Sequence, residues 1–323
     1  MPVLLNVLNV LNVMLSGLIL LLALPAAASN DGWLQFERSQ HAVRQFNFDV
    51  TFVQVRANQV STFRWLHGVH RADGALPVQT ELEQLTPQDL VGTDTFRRGD
   101  RVYYSAPDSP VQVTVNQTIK ELPGILFYSQ LEIMKLYDAV PGSSTSLSGR
   151  TAQLLRLTSL ADSRFSYWLW LDAETGFPLR VDTVDQANQV LERWMVVHLQ
   201  IKPALPTELQ QLMQAQLPAD PVLLPVPEAV SQGFTLNWLP DGYQLVSQQM
   251  PVMAHNSKML ASWLLTDGLH QISVFVQPGA GVPLQAYRDG ATTILVQPKQ
   301  RVDVTVIGPV DPALAQRLAD AVQ

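Results

Sequence analysis

The feature that most constrains the fold of this chain is a switch at Phe46 to an alternation of apolar and polar side chains at every second position, which opens a series of predicted strands that extends to about residue 202. Residues 46–53 alternate in this way, and the pattern returns at 60–65 after Ala57-Asn58, which predicts a β-hairpin with one apolar face. Further strands are predicted at 101–104, 151–157, 164–172, 177–181 and 189–201. Because short turns join them, these strands predict an antiparallel meander that forms a curved sheet or an open barrel.

Turn and helix signals complete this first region. Asp73-Gly74, residues 97–100 and residues 173–176 are predicted turns, and Gly176 stands where the chain needs a positive φ. Residues 33–45 have the spacing of a short amphipathic helix. Residues 122–137 predict a helical segment that begins near Pro123 and covers one face of the sheet.

The remainder of the chain predicts a second, smaller domain. Residues 203–233 hold six prolines around a helix-like stretch at 208–216, which is typical of a semi-rigid linker. Beyond it come apolar runs at 234–238 and 244–250, a hairpin at Asp267-Gly268, strands at 291–296 and 301–307, and a final helix opened by Asp311-Pro312. The predicted fold class is α+β and mainly β. It consists of an open antiparallel barrel with a helical lid at 29–202, the linker at 203–233, and an α+β domain at 234–323.

The N-terminus predicts export. Residues 11–24 form an apolar run of the length of a signal-peptide core, and Pro25 and three alanines follow it. We therefore expect cleavage between Ala28 and Ser29, with residues 1–28 as the signal peptide and the mature protein in the periplasm. A retained N-terminal anchor is the alternative, because residues 1–30 contain no Lys or Arg.

Composition and motifs exclude several classes of function. The 21 Lys and Arg against 28 Asp and Glu give a net charge of -7, which is unlike a nucleic-acid-binding protein. The lack of Cys removes thiol nucleophiles, disulfides, cysteine-ligated metals and lipid attachment through cysteine. His67 and His70 are three apart on a predicted strand and point to opposite faces, so they are poor joint metal ligands. Nucleotide-binding and hydrolase motifs are missing. We expect no enzyme activity, no cofactor and no metal.

Aromatic side chains are concentrated on the predicted strands of the first domain. One interpretation is that they form the core of the sheet. The other is that they line an apolar pocket for an acyl chain, because an open, curved sheet does not fill its own concavity. The residues assigned to such a pocket, partly covered by residues 122–137, are Phe48, Phe52, Phe63, Trp65, Tyr103, Tyr128, Tyr137, Tyr167 and Leu169.

The block at residues 165–180, followed by 191–194, resembles the MucB/RseB family of periplasmic sigma-factor regulators. Shorter supporting motifs run in order through the mature chain, at 33–34, 47–53, 238–243, 266–269, 272–276 and 304–308. The chain departs from the family pattern at Val50, where a glycine is expected, and between about residues 73 and 95.

The resemblance implies an N-terminal domain similar to the lipoprotein carriers LolA and LolB. It also implies binding to the periplasmic region of a membrane-spanning anti-sigma factor, which is thereby shielded from the first protease, so that the envelope-stress response stays off. Lipopolysaccharide or mislocalised lipoprotein is the implied signal that weakens this binding. A carrier or chaperone for acylated lipoproteins is the alternative that the barrel alone suggests. A periplasmic hydrolase has no positive signal in the sequence.

Partner contacts are expected in the C-terminal domain together with the linker, because two movable domains allow the change of arrangement that a switch needs. Trp263, Tyr287 and Arg288 are candidates there, since these residue types are enriched at binding hot spots. Core packing is the alternative for Trp263. The sequence leaves the oligomeric state open, and a homo-oligomer is one option.

Overall fold

The structure is a computed structural model that describes residues 24–323 except 58, 73–78, 90–92, 108, 219–232 and 247–258, with side chains described from residue 31. It contains two antiparallel sheets, one of eleven strands and one of six. Four sequence predictions lie wholly or partly outside the described residues. They are the apolar run at 11–24, the turn at Asp73-Gly74, the middle of the linker and the end of the run at 244–250.

The first sheet is the predicted meander. Strands β1 to β6 follow one another across one half, β11 to β7 across the other, and β1 pairs with β11 in the middle. Among the described strands, the edges β6 and β7 do not pair with each other, so the sheet is an open barrel. The strands are β1 (Asn47–Arg56), β2 (Gln59–Arg71), β3 (Gln79–Pro87), β4 (Asp94–Arg98), β5 (Arg101–Ser105), β6 (Gln112–Val115), β7 (Tyr137–Leu147), β8 (Arg150–Ser159), β9 (Ser166–Asp172), β10 (Pro178–Val184) and β11 (Val190–Lys202).

The predicted first hairpin is confirmed, and its alternation has the expected cause. Val50 lies opposite Trp65, and Phe52 lies opposite Phe63. Phe48, Val50 and Phe52 are fully buried, whereas the residues between them are partly exposed. Side chains at every second position therefore point to the inner, concave face of the sheet.

Helix α1 (Leu24–Gln45) packs on this inner face, where Phe36 and Val43 are fully buried. The helix predicted at 33–45 is thus confirmed, although it begins earlier and passes through the predicted cleavage position between Ala28 and Ser29. A close approach to β7 requires Gly32, because a Cβ there would lie 2.3 Å from the carbonyl oxygen of Ala139. None of the helices described in the structure is both long and apolar enough to span a lipid bilayer.

Residues 116–136, here called the lid, connect the two open edges of the sheet, from β6 to β7. The prediction of one helical segment over 122–137 is wrong, because the lid contains only a 3₁₀ turn (Gly124–Leu126) and the short helix α2 (Gln130–Ile133). Ser129 between them is extended, with ψ 130°. Helices this short do not persist alone, and burial in the core fixes their conformation instead. The lid does cover the inner face as expected, burying Ile119, Leu122, Ile125, Leu126, Phe127 and Ile133.

Two side chains of α1 hold the lid in place. Gln40 Nε2 donates to the carbonyl oxygen of Tyr128 at 2.7 Å. The Arg44 guanidinium donates to the carbonyl oxygen of Phe127 and also lies over its ring, 5.7 Å from the centroid. The lid therefore depends on α1 for its position.

Helix α3 (Thr207–Gln214) packs on the outer face of the first sheet. Leu209 is fully buried and Leu212 is nearly so, in a small core with Leu66 of β2 and Leu82 of β3. The helix-like stretch predicted within the linker at 203–233 thus lies on the surface of the first domain, and the linker boundaries stay a prediction. The spacing of Leu209 and Leu212 by three residues places both on the side of α3 that faces the sheet.

The second sheet has the order β12-β13-β14-β17-β16-β15 and carries α4 (Pro312–Asp320) against β16 and β17. The Asp267-Gly268 hairpin and the final helix are confirmed, and the Asp311 carboxylate caps that helix by accepting from Leu314 N at 2.8 Å. Residues 234–238 are irregular apart from one bridge, Leu236 to Val322. The strands are β12 (Gln244–Leu245), β13 (Ala261–Thr266), β14 (Gln271–Pro278), β15 (Gln285–Asp289), β16 (Thr292–Lys299) and β17 (Val302–Gly308).

Candidate functional site

A pocket of about 490 Å³ lies between the lid and the half of the first sheet formed by β2 to β6. This volume falls within the roughly 300–1,000 Å³ range of small-molecule sites. Phe63, Leu85 and Pro87 supply apolar lining. Polar groups are contributed by Thr93, Thr95, Tyr104, Gln112 and Glu121.

Strand parity decides which tyrosine of β5 reaches this pocket. Tyr104 lines the pocket, opposite Thr95 of β4, which lines it as well. Tyr103 lies opposite Phe96, and both therefore point to the outer face. The sequence analysis assigned Tyr103 to the pocket, whereas the structure places Tyr104 in the pocket lining. Burial raises the pKa of the Tyr104 phenol, so this group is neutral at physiological pH.

Phe63 is one of the nine residues that the sequence analysis assigned to a pocket, and it lines the pocket described above. Phe48, Phe52, Trp65 and Leu169 are fully buried in the core of the first domain. The Phe48 ring lies 4.7 Å from that of Trp65 and 4.9 Å from that of Phe177, both edge-on. These side chains pack against one another, as the core interpretation expects.

A buried charged cluster lies beside this aromatic core. Glu83 is fully buried, and its carboxylate accepts hydrogen bonds from Arg97 and from Trp65 Nε1, the latter at 3.1 Å. Arg97 also donates to the Glu81 carboxylate and, at 2.7 Å, to the carbonyl oxygen of Gly99. Burial alone would lower the pKa of Arg97, but the two glutamates raise it overall, so the Arg97 guanidinium is charged.

His67 is buried next to this cluster. Its Nδ1 lies 2.6 Å from the carbonyl oxygen of Phe46, and the Phe48 ring stacks on its imidazole at 4.9 Å. Among the described residues no hydrogen bond reaches its Nε2. Burial lowers the pKa of His67, outweighing the opposite effects of Glu83, the Phe46 carbonyl and Glu81. His67 is therefore neutral in the folded protein near neutral pH.

We expect the free energy of unfolding to decrease as the pH is lowered below about 6.5, the ordinary pKa of histidine. The unfolded chain takes up a proton at His67 there and the folded chain does not, so the free energy of unfolding drops by up to about 1.4 kcal/mol per pH unit. Above pH 6.5 neither state binds this proton and His67 contributes no slope. Urea unfolding at pH 7.5, 6.5 and 5.5 measures the slope.

His67→Gln should flatten this slope, whereas His198→Gln, at an exposed histidine of β11, should preserve it. Equal slopes in the two variants would show that His67 is not the source. Because only the change with pH is compared, a constant loss of stability in His67→Gln does not affect the result.

The two domains meet at a buried ion pair, here called the junction pair. Arg164, in the turn before β9, donates from Nε to Asp267 Oδ2 at 2.6 Å, and the two side chains are 3% and 0% exposed. Asp267 belongs to the β13–β14 turn and also accepts from the backbone N–H of Leu269 and His270. Burial would raise the pKa of Asp267, but hydrogen bonds from His270 and Arg164 and the charge of His270 hold it well below its usual range.

Aromatic and apolar contacts surround the junction pair. Tyr167 Oη lies 2.8 Å from His270 Nε2, with the two rings stacked at an interplanar angle of 9°. Leu269 of the second domain is 5% exposed and packs in the core of the first domain. The Arg288 guanidinium lies over the Phe165 ring at 5.3 Å. The β13–β14 turn therefore inserts into the first domain.

Three of the residues assigned to the pocket lie at or near this junction. Tyr167 contacts His270, and Tyr137 packs on Tyr167 at 5.8 Å between ring centroids. Tyr128 of the lid is close enough that the Asp267 carboxylate adds to the effect of burial and raises the Tyr128 pKa. The lid thus lines the pocket through Glu121, and the charge of Asp267 at the junction acts on Tyr128 in the same lid.

The three partner candidates occupy different environments. Tyr287 is 63% exposed on the edge strand β15. Arg288 packs over Phe165 at the domain junction. Trp263 of β13 is partly buried against the core of the second domain, which is the packing alternative for this residue.

The sequence analysis missed Arg164, Glu121 and Tyr104. Asp267 was read only as a turn residue, because its partner lies 103 positions away and no local pattern connects them. Glu121 directly precedes the predicted start of the lid helix. The position of a carboxylate beside an apolar run was the signal that could have identified it as a pocket residue. Tyr104 stands next to an identical residue, so residue type alone does not reveal which of the two faces inward.

The protein therefore has two domains of mainly β structure. The first is an open barrel with a pocket under its lid, and a buried junction joins it to an α+β domain with a six-stranded sheet. Models of the MucB/RseB N-terminal domain and the MucB/RseB C-terminal domain match residues 31–219 and 228–323. The chain therefore belongs to the MucB/RseB family, as the resemblance in the sequence indicated.

Relatives and a solved structure extend this similarity over both domains. The chain is 26% identical to sigma-E factor regulatory protein RseB of Escherichia coli over 308 residues, 94% of each chain. It is 28% identical to sigma factor AlgU regulatory protein MucB of Pseudomonas aeruginosa over 310 residues, 93% of each. The structure of the Pseudomonas aeruginosa MucA/MucB complex superposes with a TM-score of 0.65 at 25% identity, covering 91% of this chain and 98% of that chain. These relatives are named as regulatory proteins rather than as enzymes.

Proposed function

We propose that this protein is a periplasmic regulatory binding protein for a membrane-spanning anti-sigma factor. It binds the periplasmic region of that factor, protects it from proteolysis and so negatively regulates the envelope-stress sigma factor. The observation that carries the proposal is the similarity, over both domains and 91% of the chain, to MucB in its complex with MucA. The names of the relatives, which match over nearly their whole lengths, support the same regulatory role.

In this proposal the pocket receives an acyl chain of a lipid, lipopolysaccharide or mislocalised lipoprotein. A ligand that prefers the arrangement released from the partner lowers partner affinity by the ratio of its own affinities for the two arrangements, typically 5- to 150-fold. The lid supports such coupling, because Glu121 lines the pocket and Tyr128 lies near the Asp267 carboxylate. Displacement of the lid by a ligand would therefore act on the domain junction.

The proposal includes export by a signal peptide cleaved between Ala28 and Ser29. Helix α1 would then begin close to Ser29 and keep its packed part, since Phe36 and Val43 lie well beyond that position. The domain boundaries at 29–202, 203–233 and 234–323 stay a prediction, with α3 assigned to the surface of the first domain. No bond is made or broken in this function.

A carrier or chaperone for acylated lipoproteins is the second candidate. The open sheet and its pocket favour it, because the pocket volume suits part of an acyl chain. A carrier must deliver its ligand to an acceptor, whereas a regulator must bind a protein partner and release it in response to the ligand. The two candidates therefore differ in a measurable step.

The test is a titration of residues 29–323 with the periplasmic region of the cognate anti-sigma factor, with and without an acylated peptide. Saturable binding that the acylated peptide weakens at least fivefold is expected for the regulator. An absence of complex at tens of micromolar, together with binding of the acylated peptide and its transfer to an acceptor, would replace the regulator by the carrier.

We expect Tyr287 to be a partner contact. An exposed aromatic side chain on an edge strand is free to pack against a partner, and hot-spot aromatics commonly contribute at least about 2 kcal/mol. Tyr287→Ala should weaken binding of the anti-sigma factor at least about tenfold. The control is Val60→Ala, at a 61% exposed apolar residue of the first domain. Equal affinity of both variants would remove Tyr287 from the interface.

A further inference from the structure

The outer face of the first sheet differs between its two halves. Over β2 and β3 it is covered by α3, which packs there in a small apolar core. Over β8 to β11 it presents large side chains to solvent, since Arg156 is exposed and Trp168 and Trp170 are partly exposed. Aromatic and arginine side chains are enriched where proteins bind other proteins. This half of the outer face is therefore a candidate interaction surface.

Two rows of cross-strand neighbours run over β8 to β11 on this side. The first row consists of Arg156, Trp168, Asp182 and Arg193. The second consists of Trp170 and Arg180. Leu169, which lies between the two tryptophans in β9, is fully buried in the inner core, so both tryptophans point outward. The six residues of these two rows are here called the arginine face.

One carboxylate holds two arginines of this face in fixed positions. Asp182 is fully buried and accepts two hydrogen bonds from each of Arg180 and Arg193, with both Nε atoms at 2.9 Å. The Arg180 guanidinium also lies over the Trp170 ring, 4.1 Å from its centroid. Each guanidinium keeps one terminal nitrogen that does not bond to Asp182. Because these planar groups are already ordered, a second carboxylate binds them with little further loss of side-chain entropy.

The arginine face is positively charged, because Asp182 balances only one of its three arginines. Arg156 is exposed, and none of the described residues forms an ion pair or hydrogen bond with it. On the same side of the sheet, Arg150 and Asp172 pair with each other, and Asp138 of the edge strand β7 is exposed. Arginines still outnumber carboxylates there, in a chain of net charge -7. An acidic segment is therefore attracted to this face and repelled by the rest of the surface.

The arginine face borders the edge strand β15 of the second domain. Glu192 precedes Arg193 in β11, and a Cβ at Gly290, in the turn after β15, would lie 3.1 Å from the Glu192 carboxylate. Strand β15 carries Tyr287, the exposed aromatic residue that we expect to contact the partner. One extended segment of a partner can therefore reach both domains.

We propose that the arginine face binds an acidic segment of the anti-sigma factor's periplasmic region that also carries apolar side chains. Carboxylates of this segment pair with Arg156 and with the remaining terminal nitrogens of Arg180 and Arg193. An apolar side chain of the segment packs against Trp168. The inference rests on the proposed function and specifies the chemistry of the partner segment and the surface that holds it.

Charge reversal on and off the face tests the proposal. Residues 29–323, unchanged or with Arg156→Glu, are titrated with the periplasmic region of the cognate anti-sigma factor at about 0.05 M and about 0.5 M salt. We expect Arg156→Glu to weaken binding at least about tenfold at the lower salt concentration and less at the higher one. The matched control is Arg301→Glu, at an exposed arginine in the β16–β17 turn, which makes the same change in net charge. Equal losses in the two variants would show that overall charge, rather than the arginine face, sets the affinity, and would overturn the proposal.

The apolar part of the face is tested separately. Trp168→Ala should weaken binding at least about tenfold at both salt concentrations, because the contact that it removes is not screened by salt. Near-ultraviolet and far-ultraviolet circular dichroism check that the variant is folded, and the exposed Arg156 provides the test that does not depend on this check. Unchanged affinity in both Arg156→Glu and Trp168→Ala would remove the arginine face from the interface.

Other occupants of the face give different results. If Arg156→Glu abolishes binding to phosphatidylglycerol vesicles while the affinity for the anti-sigma factor is unchanged, the face binds a lipid surface. If Arg156→Glu changes the oligomeric state in sedimentation experiments while that affinity is unchanged, the face binds a second copy of the chain. Either result would overturn the proposal.

Failure here is distinguishable from failure of the proposed function. If the unchanged protein binds no anti-sigma factor, the regulatory function and this proposal fail together. If the anti-sigma factor binds the unchanged protein and both face variants equally well, only the present proposal fails.

Discussion

Replacement of Arg164 by Leu is expected to lower the free energy of unfolding by about 3–5 kcal/mol and to separate the two domains. The substitution leaves Asp267, which is fully buried, without the guanidinium that balances its charge. It also removes the hydrogen bond that Arg164 donates to the Asp241 carbonyl oxygen at 3.4 Å. The guanidinium that lies over the Tyr243 ring, 5.8 Å from its centroid, is lost as well. The released β13–β14 turn would no longer hold Leu269 in the first domain.

Chemical denaturation measures the stability, and small-angle scattering measures the separation of the domains as an increase in radius of gyration. The double variant Arg164→Leu with Asp267→Leu should recover much of the lost stability, because it removes both charges together. Lys135→Ala breaks an exposed ion pair, with side chains 65% and 52% exposed, and should cost less than about 1 kcal/mol. An Arg164→Leu protein as stable as Lys135→Ala would contradict a structural role for the junction pair.

Strands that were predicted from the sequence each bury one face, so local alternation carries the tertiary information. The sequence analysis did not predict β3, β4, β6, β7 or β15. Residues of β7 are mostly exposed at the edge of the sheet, and its register shifts between Pro141 and Ser144. The turn at Asp267-Gly268 was predictable because two residues between two apolar runs specify a hairpin on their own. Where burial and turn chemistry are local, the sequence is sufficient.

The lid and the sites were less predictable because their conformation depends on distant partners. Apolar spacing in the lid is compatible with a helix, yet Gln40 and Arg44 of α1 fix it in a largely irregular path. Phe48, Phe52, Phe63 and Trp65 were correctly placed on strands. Strand parity, which separates Tyr103 from Tyr104, depends on pairing with β4. The family resemblance supplied the function without supplying these positions.

Replacement of Arg97 by Leu is expected to cost about 3–5 kcal/mol as well, for a reason confined to the first domain. Arg97 is nearly fully buried and donates to both Glu83 and Glu81. Without it, the hydrogen bond from Trp65 Nε1 is the one that the described residues still give to the fully buried Glu83. Glu81 still forms an ion pair with Arg44, whose guanidinium nitrogen lies 3.6 Å from the Glu81 carboxylate. The unbalanced charge therefore falls mainly on Glu83.

The second substitution Glu83→Gln separates the charge effect from the loss of packing. Glutamine removes the charge of Glu83, and its amide oxygen still accepts from Trp65, so the double variant Arg97→Leu with Glu83→Gln should be more stable than Arg97→Leu alone. Urea unfolding of both single variants, the double variant and the unchanged protein gives the coupling energy, which we expect to be about 1–3 kcal/mol. Additive effects would show that Arg97 stabilises the sheet through Glu81 and the Gly99 carbonyl rather than through Glu83. Since Trp65 lies opposite Val50 and beside Phe48 in the aromatic core, the cluster also fixes the half of the sheet that forms the pocket, and near-ultraviolet circular dichroism of Arg97→Leu should lose intensity.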